Sequence, residues 1–403
     1  MKIKTILVSQ PQPTDEKNPY AELAKKFALK IDFRAFIKIE AVPGLTAIHD
    51  PDNADPSKVA AQYQALPEVE YAEPNYEISI DRTGSNANSV PANDPRFDEQ
   101  WALSKISAQQ AWARTKGSRQ IVVAVLDSGV EYTHVDLVNN IWTRPSSIKP
   151  YQDRDLGTID DVHGYNAVAN DGDPMDENGH GTACAGIIGA ECNNNAGICG
   201  VNWTIQIMPV KFLNGGGFGY VADAVEAINY AIDRKRAGVN LRVINASWGL
   251  TERSRSLEDV IRQAYENGIL FVATSGSTST NNDTSPRYPA GYSLGNIISV
   301  AATDRSDALA QFSNYGAKSV NLVAPGKDIL TTGLGNDSQQ RSGTSMAAPV
   351  VAGVAALALS VHPNLSVDQL RSLLLDSVDR LPGLRDRVST GGRINAAKAV
   401  APR

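Results

Sequence analysis

Cysteine is scarce in this chain, and what is there is clustered. Cys184, Cys192 and Cys199 are the only three in 403 residues. That excludes a fold stapled by a disulfide framework. Cys192 and Cys199 flank a tight Asn/Gly loop and can pair, which would leave Cys184 a free thiol in an apolar run. An excess of one charge is also lacking. The formal net charge is -6, from 38 basic and 44 acidic side chains spread along the chain. With no basic cluster, nucleic acid is excluded as a partner. No apolar run reads as long enough to span a membrane. Met1 to Pro13 carries lysines and a short Ile-Leu-Val group, then turns polar. It is too short for a secretory signal and has no small-residue cleavage site, so no export signal is visible.

What remains is an ordinary globular composition, 42% hydrophobic, in a length that suits one large domain or two unequal ones. Residues 1–80 read as a small α+β unit. Strands are expected at Lys4–Val8, Phe36–Val42 and Val69–Ile78, with helices at Tyr20–Leu29 and Ser57–Leu66. Residues 81–92 form a polar Gly/Ser/Asn/Pro linker, the best domain boundary and the most protease-accessible stretch. From 93 to 403, short apolar strands alternate with helical patterns. The strands are expected at Ile121–Leu126, Ile205–Phe212, Arg242–Ala246, Ile269–Ala273, Ile297–Ala301 and Val320–Val323. Helices are expected at Gly181–Ala190, Val221–Arg236, Ser256–Asn267, Ser345–Leu359 and Ser366–Ser377. This alternation predicts an α/β fold with a doubly wound, mainly parallel sheet. Ligands then bind beyond the carboxyl ends of its strands.

Three segments at element boundaries carry chemistry. Ser345, in Gly343-Thr344-Ser345-Met346-Ala347-Ala348-Pro349, sits at the mouth of an uncharged small-residue helix. Backbone N–H groups there favour a developing negative charge. Alone, this serine is equally a helix N-cap. His180 is bracketed by Gly179 and Gly181 at the entrance of another small-residue helix. Asp127 ends the first strand of the second unit. Serine as nucleophile, histidine as base and aspartate as orienter form one site more readily than three turn accidents.

These segments, Val125-Leu126-Asp127-Ser128-Gly129, His180-Gly181-Thr182 and Gly343 to Pro349, resemble the three motifs of the subtilisin-like serine proteases, over about residues 93–397. The start Asn93 to Phe97 is similar to the thermitase-like branch. The resemblance implies a serine endopeptidase acting on peptide and protein substrates, with Asp127, His180 and Ser345 as its triad. It implies that Gly217, Phe218 and Gly219 form a strand onto which substrate adds. It places the primary pocket between Ser247-Trp248-Gly249 and Ser275-Gly276, with Trp248 crowding one wall. Arg287 and a cis proline in Tyr288-Pro289-Ala290 lie at the floor. Arg287 is expected to point to solvent, leaving the pocket open and apolar; turned inward, it would favour an acidic P1 side chain.

One position departs from the family pattern: Ser277 stands where an asparagine donates to the oxyanion, beside the Ser345 backbone N–H. The expectation is a slowed hydrolase, the alternative being an impaired homologue that binds peptides. Asn281 or Asn282 could replace the missing donor if the loop folds back. The resemblance further implies structural Ca2+. A strong site would use Asp94, Asp136, Asn194 and the carbonyls of Glu191, Ala196 and Ile198. A weaker one would use Asn166, Asp171, Asp173 and Asp176. It implies a leading unit that serves as intramolecular inhibitor and propeptide, and a monomer after maturation. Residues 1–42 are also reminiscent of the start of some bacterial uroporphyrinogen-III synthases.

Overall fold

The computed structural model describes residues 93–153 and 157–402, and in the leading part residues 5–9, 37–38, 45–49, 71–74 and isolated positions from 58 to 65. Two compact units divide the chain, 1–85 and 86–403. In the first, Thr5–Ser9 pairs antiparallel with both Leu45–His49 and Tyr71–Pro74, and Ile37–Lys38 adds at one edge. The expected helix at Tyr20–Leu29 lies outside the described residues; positions 58, 61 and 64 of the other are helical.

The second unit is built on a nine-stranded sheet. Its order is 378–380, 392–394, 322–325, 297–303, 270–274, 241–246, 117–127, 204–211, 165–166. All neighbours are parallel except the pair 378–380 and 392–394. The six expected strands and five expected helices are present, with ends displaced by a few residues. The two-residue strand Tyr165–Asn166 and the terminal pair were not foreseen, because neither carries a hydrophobic run of its own. Gly117–Asp127 is flanked by Thr204–Lys211 on one side and Leu241–Ala246 on the other. The direction of winding reverses there, so a crevice opens at the carboxyl ends, just beyond Asp127.

The helix Thr344–Val361 lies across the sheet. It is 18 residues long, carries no charge, and is long and apolar enough to cross a membrane. That corrects the expectation of no such run. Its place is the protein core: from Met346 to Leu359 every side chain is buried. The helix His180–Gly189 packs against it, and all its residues after His180 are buried. Small residues permit this approach. Thr331 and Thr332 donate their hydroxyls to the Ala183 and Thr182 carbonyls of that helix.

Gly353 shows how tight the packing is, since a Cβ there would lie 2.8 Å from Cβ of Val201. Gly353→Val is therefore expected to cost about 2 kcal/mol or more through overpacking. The urea unfolding midpoint measures this, and an unshifted midpoint would contradict the contact.

Candidate active site

The carboxyl ends of three neighbouring strands meet the start of two helices. Asp127 is the last residue of its strand and fully buried. Its Oδ1 lies 2.7 Å from Nδ1 of His180, the first residue of its helix. Gly179 caps that helix at φ +89, a conformation L side chains rarely adopt. Burial on its own would lower the His180 pKa. The charge of Asp127 and its hydrogen bond outweigh burial and raise it, while Arg341 pulls it back. Cys184, one turn along, has its Sγ 3.9 Å from Asp127 Oδ2 and 3.7 Å from the Ser345 carbonyl oxygen. It thus lies between the aspartate and the serine. Asp127, His180 and Cys184 are also close enough to hold a metal ion. Burial pushes the Cys184 thiol up and keeps it protonated, which disfavours metal ligation and makes it a poor competing nucleophile.

Ser345 is the second residue of its helix and partly exposed. Its carbonyl oxygen accepts from Ser247 Oγ at 2.8 Å. Neither its hydroxyl nor its N–H has a hydrogen-bond partner among the described residues. Contacts between nucleophile and base are often loose before substrate binds. A Cβ on Gly343 would lie 2.8 Å from the Ser345 hydroxyl, so glycine leaves it room.

Ser277 belongs to a hydroxyl network whose donors can be counted. Thr344 Oγ1 accepts from Thr274 Oγ1 at 2.5 Å and from the Gly276 N–H at 3.1 Å, using both lone pairs. Its own hydrogen then goes to Ser277 Oγ, 3.0 Å away. Ser277 Oγ also accepts the Thr344 N–H at 3.0 Å. With both its lone pairs used, the Ser277 hydrogen is left to donate, and the residue is exposed. Asn282 cannot take this role: it is buried, donates to the Ser275 carbonyl and accepts from Asn314. Asn281 instead accepts from the Asp283 N–H.

Gly217-Phe218-Gly219 closes a turn. Phe218 N–H bonds to Asn214 Oδ1, and Asn214 N–H to the Phe218 carbonyl. The expected strand is therefore not formed: Gly217 has φ +79 and its N–H bonds to the Asn214 carbonyl, while among the described residues the Gly217 carbonyl and the Gly219 N–H stay unpaired. Trp248 is partly exposed. Its indole N–H donates to the Leu126 carbonyl and its ring packs on Phe212, so it buttresses the strand behind Asp127. Arg287 departs from expectation. It is partly buried, and its Nη2 lies 3.3 Å from the Gly249 carbonyl oxygen. The Tyr288–Pro289 bond after it is cis, and Leu250 and Tyr288 pair across the turn.

Two buried carboxylates, Asp94 and Asp136, converge on the loop 191–198. Burial raises the Asp94 pKa, Asp136 adding to the effect while the Asn193 and Asn194 amides oppose it. The Asn194 side chain reaches Asp136. The Glu191, Ala196 and Ile198 carbonyls accept no hydrogen bond among the described residues. Negative charge and free oxygens in one place fit a hard cation. Cys192 and Cys199 pair and close this loop.

The second acidic group does not fit one. Asp176 accepts at Oδ1 from Ser128 Oγ and the Asn178 and Gly179 amides, and at Oδ2 from both donors of Thr182. It is spent on holding the start of the His180 helix. Asn166 Oδ1 is taken by the Val168 and Ala169 amides. Asp171 and Asp173 are exposed and accept from neighbouring donors. Sequence reasoning missed Asp176 as a positioning residue, although its place four residues before His180 was a signal. It also missed Arg341 and Asn314, which approach from distant segments.

Residues 118–392 match the model of the subtilase family, Peptidase S8. The chain is 36% identical to a thermophilic serine proteinase of Bacillus sp. (strain AK1), over 98% of this chain and 91% of that protein. That alignment takes in the leading unit, so residues 1–42 belong with the protease and not with a synthase. Thermitase of Thermoactinomyces vulgaris is 36% identical over 76% of this chain and 98% of its own length. A solved structure of a protease from Pseudoalteromonas arctica superposes with a TM-score of 0.63 at 28% identity, over 77% of this chain and 99% of that one. The chain belongs to the subtilase family, as a subtilisin-like serine protease of the thermitase-like branch.

Proposed function

We propose that this protein is a serine endopeptidase that cleaves extended segments of protein substrates through an acyl-enzyme on Ser345. The bond from buried Asp127 to His180 Nδ1 carries the reading. It fixes the tautomer that leaves Nε2 as the base. In this reading His180 takes the Ser345 proton as Oγ attacks the substrate carbonyl, then returns it to the leaving amine. Water repeats the sequence to release the acid. The Ser345 N–H and the Ser277 hydroxyl donate to the oxyanion. The spare Ser277 hydrogen supports a working hydrolase over the impaired, peptide-binding alternative.

Asp94, Asp136, Asn194 and the carbonyls of Glu191, Ala196 and Ile198 would hold Ca2+, which neutralises buried charge and braces the loop. The leading unit is proposed as an intramolecular inhibitor removed by cleavage in 81–92, leaving a monomer. The division of the chain into two compact units, 1–85 and 86–403, supports that boundary.

A fluorophosphonate is expected to label Ser345 and not a Ser345→Ala variant; an unlabelled wild type would sink the endopeptidase reading. Ser277→Ala is expected to lower kcat about a hundredfold, within the range that losing one such donor costs in this same family. Ser277→Asn is expected to keep turnover, and an unaffected Ser277→Ala enzyme would remove Ser277 from the oxyanion hole. The base must be neutral, so kcat/KM rises with pH through the His180 pKa, which sits above its ordinary ~6.5. Arg341→Gln removes a charge that lowers that pKa, so the acid limb should move to higher pH; a shift downward would contradict the assignment. Ca2+ at a hundred times its Kd should add about 2.7 kcal/mol of stability, or roughly 5 °C in Tm. EDTA should reverse the gain, Asp136→Asn should abolish it, and a calcium-independent Tm would exclude the site.

A further inference from the structure

The Arg287 side chain runs between two segments that, in the proposed reading, flank the P1 side chain of the substrate. Ser247 bonds to the Ser345 carbonyl, and Thr274 and Gly276 bond to Thr344. Segments 247–249 and 274–276 therefore stand on either side of the nucleophile. Arg287 runs between them. Its Cγ lies 3.4 Å from the position a Cβ on Gly276 would take, and its Nη2 reaches the Gly249 carbonyl oxygen. Its Nε is buried with no hydrogen-bond partner. Glu252 feels its charge but is fully exposed, and no ion pair joins them. A guanidinium offers five donors in a planar fork matched to a carboxylate, and this one is partly buried with one donor spent, on the Gly249 carbonyl.

We infer that Arg287 makes this protein select substrates with an acidic P1 side chain, cleaving after Glu or Asp. The inference rests on the endopeptidase reading above and names its substrate class. The chain itself contains a matching residue. Asp81 is the sole acid in the linker 81–92, which makes Asp81–Arg82 the bond that fits both the pocket and maturation. An uncharged pocket would reject a carboxylate, because burying it unpaired is costly. The Arg287 charge reverses that preference, more strongly at low salt.

The test uses the mature protein and fluorogenic tetrapeptides identical except for P1 Glu, Gln, Lys or Leu. Wild type is expected to favour Glu over Gln by about ten- to hundredfold in kcat/KM, the range for one charge-assisted pair. Arg287→Gln should lose that ratio, and Arg287→Glu should favour Lys over Gln. A synthetic peptide of residues 74–91 should be cut at Asp81–Arg82. Fluorophosphonate labelling of each variant reports a folded site independently of the ratio. A labelled, active wild type that treats Glu and Gln alike, or cuts the peptide only after neutral residues, overturns the role of Arg287 and leaves the endopeptidase reading standing. A wild type that is neither labelled nor active on any peptide overturns that reading, and this one with it.

Discussion

Everything in the larger unit depends on burying an uncharged helix across the parallel sheet. Residues 346–359 reach no solvent, so the helix can end its burial only where the sheet ends. Its first turn surfaces at the carboxyl edge, where the strands 117–127, 241–246 and 270–274 also stop. The helix N-terminus carries unpaired N–H groups and partial positive charge. A serine at that point receives an exposed hydroxyl and an electropositive surround without any dedicated cation. Small residues are the condition for this arrangement. Larger side chains on the His180 helix or on the Ser345 helix would separate histidine from serine.

The second constraint is electrostatic. Asp127 is fully buried and is stabilised by His180 and by the Ser128 N–H. Asp176 does for the backbone what Asp127 does for the imidazole, gathering five donors at the helix entrance. Removal of either leaves polar groups unpaired in a dry place, which costs more than the bond itself gains. The hydroxyls of Thr274, Thr344 and Ser277 extend the same logic. The Thr344 and Ser277 oxygens each accept two bonds, and the one spare hydrogen emerges at the exposed end of the chain of bonds. A serine can thus present a donor where an asparagine would carry it on a longer arm.

The loop 191–198 is organised oppositely. The charge of Asp136 adds to the cost that burial puts on ionising Asp94, and several carbonyls beside them accept no hydrogen bond among the described residues. The disulfide closes the loop, and in the proposed reading a bound Ca2+ would neutralise its charge. Stability of this corner would then be coupled to the solution in a way the proposed triad is not.

The sequence by itself determined the strand–helix alternation, the order of aspartate, histidine and serine, and the buried helix behind Ser345. Those features are local: an apolar run, a glycine-bracketed histidine and a small-residue helix each report their own environment. Element ends were legible to within a few residues, and the two-residue strand Tyr165–Asn166 was not, since pairing alone creates it. Tertiary structure decided matters of direction and satisfaction. What fixes Trp248 became visible only when Leu126 and Phe212 were seen against it. Asp176 reads as a metal ligand until its five donors are counted. Arg287 reads as a solvent-facing arginine until the Gly249 carbonyl, 38 residues away, is found at its tip. Composition can say which groups are polar, but only the packed chain says which of their lone pairs and hydrogens remain free.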